Sequence, residues 1–190
     1  KGEAAGMEVL VVSGDRDTFQ LVTDKVTVLY PSARGVAELK RYTPDAVEER
    51  YGIRPHQYPD IAALVGETSD NLPGVDKVGE KTAVKWINEY GSLEEILRRR
   101  DEIPGKVGEN LREFASNAER NRRLNRLVTD VELPVAPAEL NRGVFDVNAV
   151  RDVFGKLQFR SLLERVLKLA GAAGSHADSS APTASSPATA

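Results

Sequence analysis

The chain has 190 residues, a formal net charge of −3, 41% hydrophobic and 29% charged side chains, and no cysteine. That length suits one moderate domain and can bury a real core. Without cysteine there is neither a disulfide nor a thiolate zinc site, which points to a reducing, cytoplasmic home. The separated His56 and His176 offer no metal pair, and no apolar run approaches the roughly 18 residues of a membrane span.

In chain order, Val9–Val12 is a continuous β-branched run ending in Ser-Gly-Asp, the pattern of a central parallel strand that leads into a loop. A short helix is expected over Thr18–Val22, a second strand over Lys25–Pro31 and a third over Val36–Tyr42. From residue 43 the pattern turns helical. Thr43-Pro44 starts and Gly52 stops a helix over Asp45–Tyr51. Further helices are expected over Tyr58–Val65 and over Glu80–Tyr90, the latter closed by Gly91. Another follows Ser92, whose capping box uses Glu95, and ends near Arg100. The spacing predicts a long, charged helix over Glu109–Leu127 with a thin apolar stripe of Leu111, Phe114, Leu124 and Leu127. An extended connector follows, then helices over Asn148–Leu157 and Ser161–Leu169. After Gly171 the chain is small and polar, as expected of a disordered tail or linker. Because Lys1 is not an initiating Met and a buried strand follows almost at once, the chain is expected to be part of a longer one.

The stretch Gly66–Ala83, "GETSDNLPGVDKVGEKTA", carries the chemistry. It nearly matches a triphosphate-binding loop, since Gly74 and Gly79 are correctly spaced and Lys81-Thr82 follow. However, Glu80 is inserted before the lysine, turning it by about 100° on the helix, and the loop follows a helix where that motif needs a strand. A hairpin between two helices that grips nucleic-acid phosphate fits better. Gly79 allows close approach, Glu80 opens a helix with free N–H groups, and Lys81 and Lys85 share one face. The plain alternative is a helix–turn–helix corner with surface lysines. Net charge argues against a nucleic-acid protein, yet Lys77, Lys81, Lys85, Arg98, Arg99 and Arg100 cluster apart from the acids.

Those acids are Asp15 and Asp17, beyond the first strand, and Glu67 and Asp70 before the hairpin. Crowded carboxylates suit divalent cations, and two such ions could activate water against a phosphodiester. Alternatively, Asp15 or Asp17 caps the next helix and Asp70 seeds a turn. Trp86 and Tyr90 read as packing residues and His56 as a surface residue.

The segments "VVSGDRDTFQLV", "YGIRPHQYPDIAALVGETSDNLPGVDKVGEKTA" and "YGSLEEIL" resemble the bacterial 5′ to 3′ exonuclease, or flap endonuclease, domain of DNA polymerase I, from about Val9 to Leu167. The resemblance implies an α/β fold: part of a parallel-sheet nuclease core (1–43), then a mostly helical helix-three-turn-helix DNA-binding region (44–134). A helical segment packing on the core (135–170) and a tail (171–190) complete it. It implies Asp15, Asp17, Glu67 and Asp70 as catalytic ligands for Mg²⁺ or Mn²⁺, two or more ions. Gly74, Val75 and Val78 would face a K⁺ ion, and Lys77, Gly79, Lys81, Thr82 and Lys85 would contact DNA. The implied substrates are 5′ flaps, nicked duplexes and RNA-primed ends in replication and repair. The implied protein is a monomer at the nucleoid, beside a fused or separate polymerase portion and away from membranes. Glu67 stands where the family usually has Asp, and Lys77 where it usually has Gly. The family's first metal-binding strand, other acids and helical arch lie upstream, so the chain is expected to be its C-terminal portion and to bind DNA more readily than cut it.

Overall fold

The structure, a computed structural model, describes residues 1–32, 35–141 and 143–177. They fall into two compact units, Lys1–Ala138 and Glu139 onward.

In the first unit β1 (Val9–Val12) pairs in parallel with β2 (Val26–Ser32), with Val11 opposite Val28. β3 (Gly35–Tyr42) then returns antiparallel to β2, so the small sheet is mixed. Leu10 and Val12 of β1 are 56% and 62% exposed, unlike the buried strand that the sequence predicts. The segment after β1 is a 3₁₀ turn over Arg16–Leu21 in place of an ordinary helix, with Asp15 at its cap. Its Phe19 is fully buried, and its ring meets those of Tyr30, Tyr42, Tyr51 and Tyr58 at 4.4–5.7 Å. This aromatic knot fastens the acid-bearing turn to the sheet and the neighbouring helices.

The helical layer comprises α1 (Pro44–Tyr51), α2 (Tyr58–Val65), α3 (Glu80–Tyr90), α4 (Leu93–Arg98) and α5 (Gly105–Asn125). α2 is buried from Tyr58 to Leu64, as an almost wholly apolar helix must be. Thr43 caps α1 and Ser92 caps α4, but Glu95 turns to Arg98 and so completes only half of the expected capping box. Trp86 is buried and Tyr90 packs under the Arg99 guanidinium, as packing residues should.

α5 starts four residues earlier than the sequence suggests, and of its expected stripe Leu124 is 60% exposed. Asn110, Asn121 and Asn125 are buried in its place, together with Leu111 and Ala118. At 3.6 residues per turn the three asparagines fall within about 60° of one another. Asn110 donates to the Asp76 carbonyl at 2.8 Å, and Asn121 to those of Pro73 and Ala63 at 2.9 and 3.3 Å. The amides of Asn110 and Asn121 are satisfied in this way, whereas the buried Nδ2 of Asn125 has no partner.

The second unit contains α6 (Val147–Lys156) and α7 (Arg160–Ala177). Asp146 caps α6 by accepting the N–H groups of Asn148 and Ala149, and Phe154 meets Phe159 edge-on. α7 continues to Ala177, past Gly171 where the sequence places the start of a tail. The remainder of that expected tail, 178–190, lies outside the described residues.

Candidate active site and nucleic-acid interface

Asp15 and Asp17 sit just beyond the carboxyl end of β1. The Asp15 carboxylate accepts the Asp17 N–H at 2.9 Å, so it does cap the turn. Glu67 lies on a two-residue strand, β4 (Gly66–Glu67), paired antiparallel with β5 (Leu72–Pro73); a 3₁₀ turn ending at Asp70 joins them. Neither strand is apparent in the sequence. A cleft of about 600 Å³ is lined by Asp15, Glu67 and Asp70 together with Arg16, Tyr58 and Glu80.

Asp17, unlike the other three acids, does not line this cleft; burial together with Glu67, Asp15 and Asp70 pushes its carboxyl up to about 7. The Glu67 carboxyl is likewise raised, first by burial and then by Asp70 and Asp15. One buried oxygen of each, Oδ1 of Asp17 and Oε2 of Glu67, has no hydrogen-bond partner. Two orphaned carboxylate oxygens among like charges form a site that water alone serves poorly and a hard cation serves well. Among the described residues no three His, Cys, Asp or Glu side chains form a ready metal cage. An ion held there would have to complete its coordination shell with waters.

The hairpin runs from β5 to α3. Gly66 has φ +81°, and a Cβ there would meet the Gly74 nitrogen at 2.3 Å; one on Gly74 would meet the Val65 carbonyl at the same distance. These two glycines press the hairpin onto the end of α2, where Val75 N–H donates to the Leu64 carbonyl at 2.8 Å. Gly74 thus serves close packing. The Val75 and Val78 side chains are buried, and Val78 N–H already donates to the Val75 carbonyl at 3.0 Å, which leaves that oxygen its second lone pair.

Gly79 precedes α3 in extended backbone, and a Cβ there meets nothing within 4 Å. Thr82 is half-buried in the first turn of α3, where its N–H donates to the Gly79 carbonyl at 3.0 Å. Lys77, Lys81 and Lys85 are exposed and form no ion pair among the described residues. Arg98 and Arg99, by contrast, are paired with Glu95 and Glu102, so the expected basic cluster is smaller than its sequence suggests. Glu80 pairs with Arg50 at 3.3 Å, and the hairpin follows α2, so a triphosphate loop is excluded by context.

Lys77 has φ +62°, which explains why glycine suits the position. Lys77→Gly is expected to raise stability by up to about 1 kcal/mol, measured by urea denaturation, while weakening any phosphate contact.

Sequence reasoning passes over Arg16, Gln20, Asn110 and Asn121. Arg16, between the two acids, lines the cleft together with Tyr30. Gln20 donates to the carbonyls of Asp17 and Asn125, both at 2.8 Å, and accepts the Leu127 N–H at 3.1 Å. The spacing of 11 and 4 among Asn110, Asn121 and Asn125 was the one available signal.

A family model described as "5'-3' exonuclease, C-terminal SAM fold" matches residues 53–148, and one described as "5'-3' exonuclease, N-terminal resolvase-like domain" matches 1–52. Both halves match, so the comparisons do not single out a C-terminal portion. DNA polymerase I of Mycobacterium bovis is 51% identical over 174 residues, covering 92% of this chain, and that of Bacillus subtilis is 41% identical over 165 residues, covering 86%. The chain spans 19% of the length of each relative. Among solved structures, T5 5′-exonuclease with divalent zinc bound superposes with a TM-score of 0.56 at 26% identity, covering 65% of this chain and 46% of that one. T5 D15 protein co-crystallized with metal ions gives 0.54 at 27%, covering 62% and 42%. With half of its length matched by the first model and the fold shared with these nucleases, the chain belongs to the 5′-3′ exonuclease family.

Proposed function

We propose that the chain forms the acid site and the duplex grip of a metal-dependent, structure-specific 5′ to 3′ exonuclease and 5′-flap endonuclease. The observation that carries it is the pair of orphaned, buried carboxylate oxygens on Asp17 and Glu67, with Glu67, Asp15 and Asp70 lining one cleft. Asp15, Asp17, Glu67 and Asp70 would hold Mg²⁺ or Mn²⁺, in keeping with the metal ions named for the T5 structures. When bound, such ions supply a hydroxide at neutral pH and stabilise the leaving oxygen. The protein's own part is to hold the acids on a rigid turn and to bring DNA to them.

For that grip the Lys77, Lys81 and Lys85 ammonium groups and the Gly79–Thr82 start of α3 contact backbone phosphate without reading sequence. The carbonyls of Gly74, Val75 and Val78 would take K⁺. In this account the substrates are 5′ flaps, nicked duplexes and RNA-primed ends during replication and repair. The protein works as a monomer at the cytoplasmic nucleoid beside a polymerase portion. By itself the chain binds more readily than it cuts.

Salt-dependent binding of a fluorescent 5′-flap duplex tests the grip. Log affinity should fall with log salt, and Lys81→Ala and Lys85→Ala should each flatten the slope by about 0.9. Unchanged slopes in both variants would remove these lysines from the interface.

A further inference from the structure

One helix is bonded to both halves of the site. Through Asn110 and Asn121, α5 holds the hairpin carbonyls of Asp76 and Pro73. At its other end Gln20 ties the Asn125 carbonyl to the carbonyl of Asp17, and its own oxygen takes the next free N–H, that of Leu127. All three polar positions of the Gln20 amide are thus used, and each bond runs to backbone, which fixes chain position and not merely a side-chain rotamer.

Between the two hairpin bonds the helix is bent, since Phe114 leaves helical geometry at φ −101° and ψ 16°. Phe114 and Asn117 line a second cleft with Gly74, Lys77 and Gly79, so the bend faces the hairpin. From Asn110 to Asn125 the helix measures about 22 Å, and a tilt of about 10° would move one end by about 4 Å, close to the 3.4 Å rise of one base pair.

We infer that α5 is a ruler that sets which phosphodiester the hairpin presents to the acid site, with Gln20, Asn110 and Asn121 as its positioning residues. The inference rests on the function proposed above. α5 touches neither metal nor DNA in this role; it fixes the separation of the two groups that do.

The separation can be read without turnover. Fe²⁺ held at the acids, with ascorbate and peroxide, releases short-lived radicals that cut nearby DNA, so the cut positions on an end-labelled 5′-flap duplex report where the strand lies. The wild-type chain should give cuts confined to a few neighbouring nucleotides. Gln20→Met, which keeps the shape and loses all three bonds, should shift or spread them by one nucleotide or more, with flap affinity changed less than about twofold. The double variant Asn110→Ala/Asn121→Ala breaks both links at the hairpin end and should do the same, so either folded variant decides the matter, folding being checked by circular dichroism. A loss of melting temperature with the wild-type cut pattern, in either variant, means a merely structural role and overturns the inference. Binding by the wild type without focused cuts refutes the metal assignment and the ruler together. Failure of the wild type to bind refutes the proposed function itself.

Discussion

In metal-free buffer near pH 8, Asp17→Asn is expected to melt about 2–4 °C above the parent chain, and the gain should vanish or reverse in Mg²⁺. Burial and the nearby Glu67, Asp15 and Asp70 hold the folded Asp17 carboxyl up to about 7, against an ordinary value of 3.8. The folded chain therefore binds this proton more tightly than the unfolded chain does. Stability from this group falls as pH rises from about 4 to about 7 and stays low above that. Asparagine has no charge to bury, so the variant lacks the slope. A penalty of only about 1 kcal/mol, allowing for a site partly open to water, gives the stated shift. A divalent cation reverses the balance because it needs the charge that the apo site penalises. Thermal melts at about pH 5 and pH 8, in EDTA and in Mg²⁺, check this; a variant that matches the parent in all four conditions contradicts it.

Gly74→Ala should cost about 3 kcal/mol and lower the melting temperature by about 6–12 °C, with loss of flap binding. The added Cβ would lie 2.3 Å from the Val65 carbonyl carbon and oxygen and 2.5 Å from the Leu64 oxygen, all backbone atoms that cannot swing aside. The hairpin must then lift from α2, breaking the Val75 bond to Leu64 and straining the two bonds to α5. Gly79→Ala is the matched control. Its Cβ enters open space from an extended backbone, so stability should change by less than about 0.5 kcal/mol while DNA binding weakens. Equal melting of Gly74→Ala and the parent chain would mean that the hairpin does not depend on this contact.

The same positions show what a sequence discloses. α3 was legible to the residue because Gly79 and Gly91 mark its ends, and α2 because an unbroken apolar run needs burial. The turn after β1 was legible as ordered but not as 3₁₀, since its one large anchor, Phe19, gives no periodicity. α5 was misjudged at its start and along its face. Pro104-Gly105 reads as a break, and buried asparagines look like solvent-facing ones until their distant acceptors are known. β4 and β5 are too short to leave a pattern. Of the site, the acids and the hairpin were visible as motifs, while Gln20, Asn110 and Asn121 were not. Apart from the Gln20 bond to Asp17, three residues away, their bonds reach backbone 34 to 107 residues away, and such contacts leave no local signature.

Cleavage of an end-labelled 5′-flap duplex in Mg²⁺ and in EDTA, by this chain and by a form extended to the length of the relatives it matches, tests the acid site most directly. Both should bind, the longer form should cut only with Mg²⁺, and Asp15→Ala or Asp70→Ala should lose at least about 100-fold in its cutting with most binding retained. Cutting that persists in EDTA, or that both variants perform at the parental rate, would contradict the metal assignment.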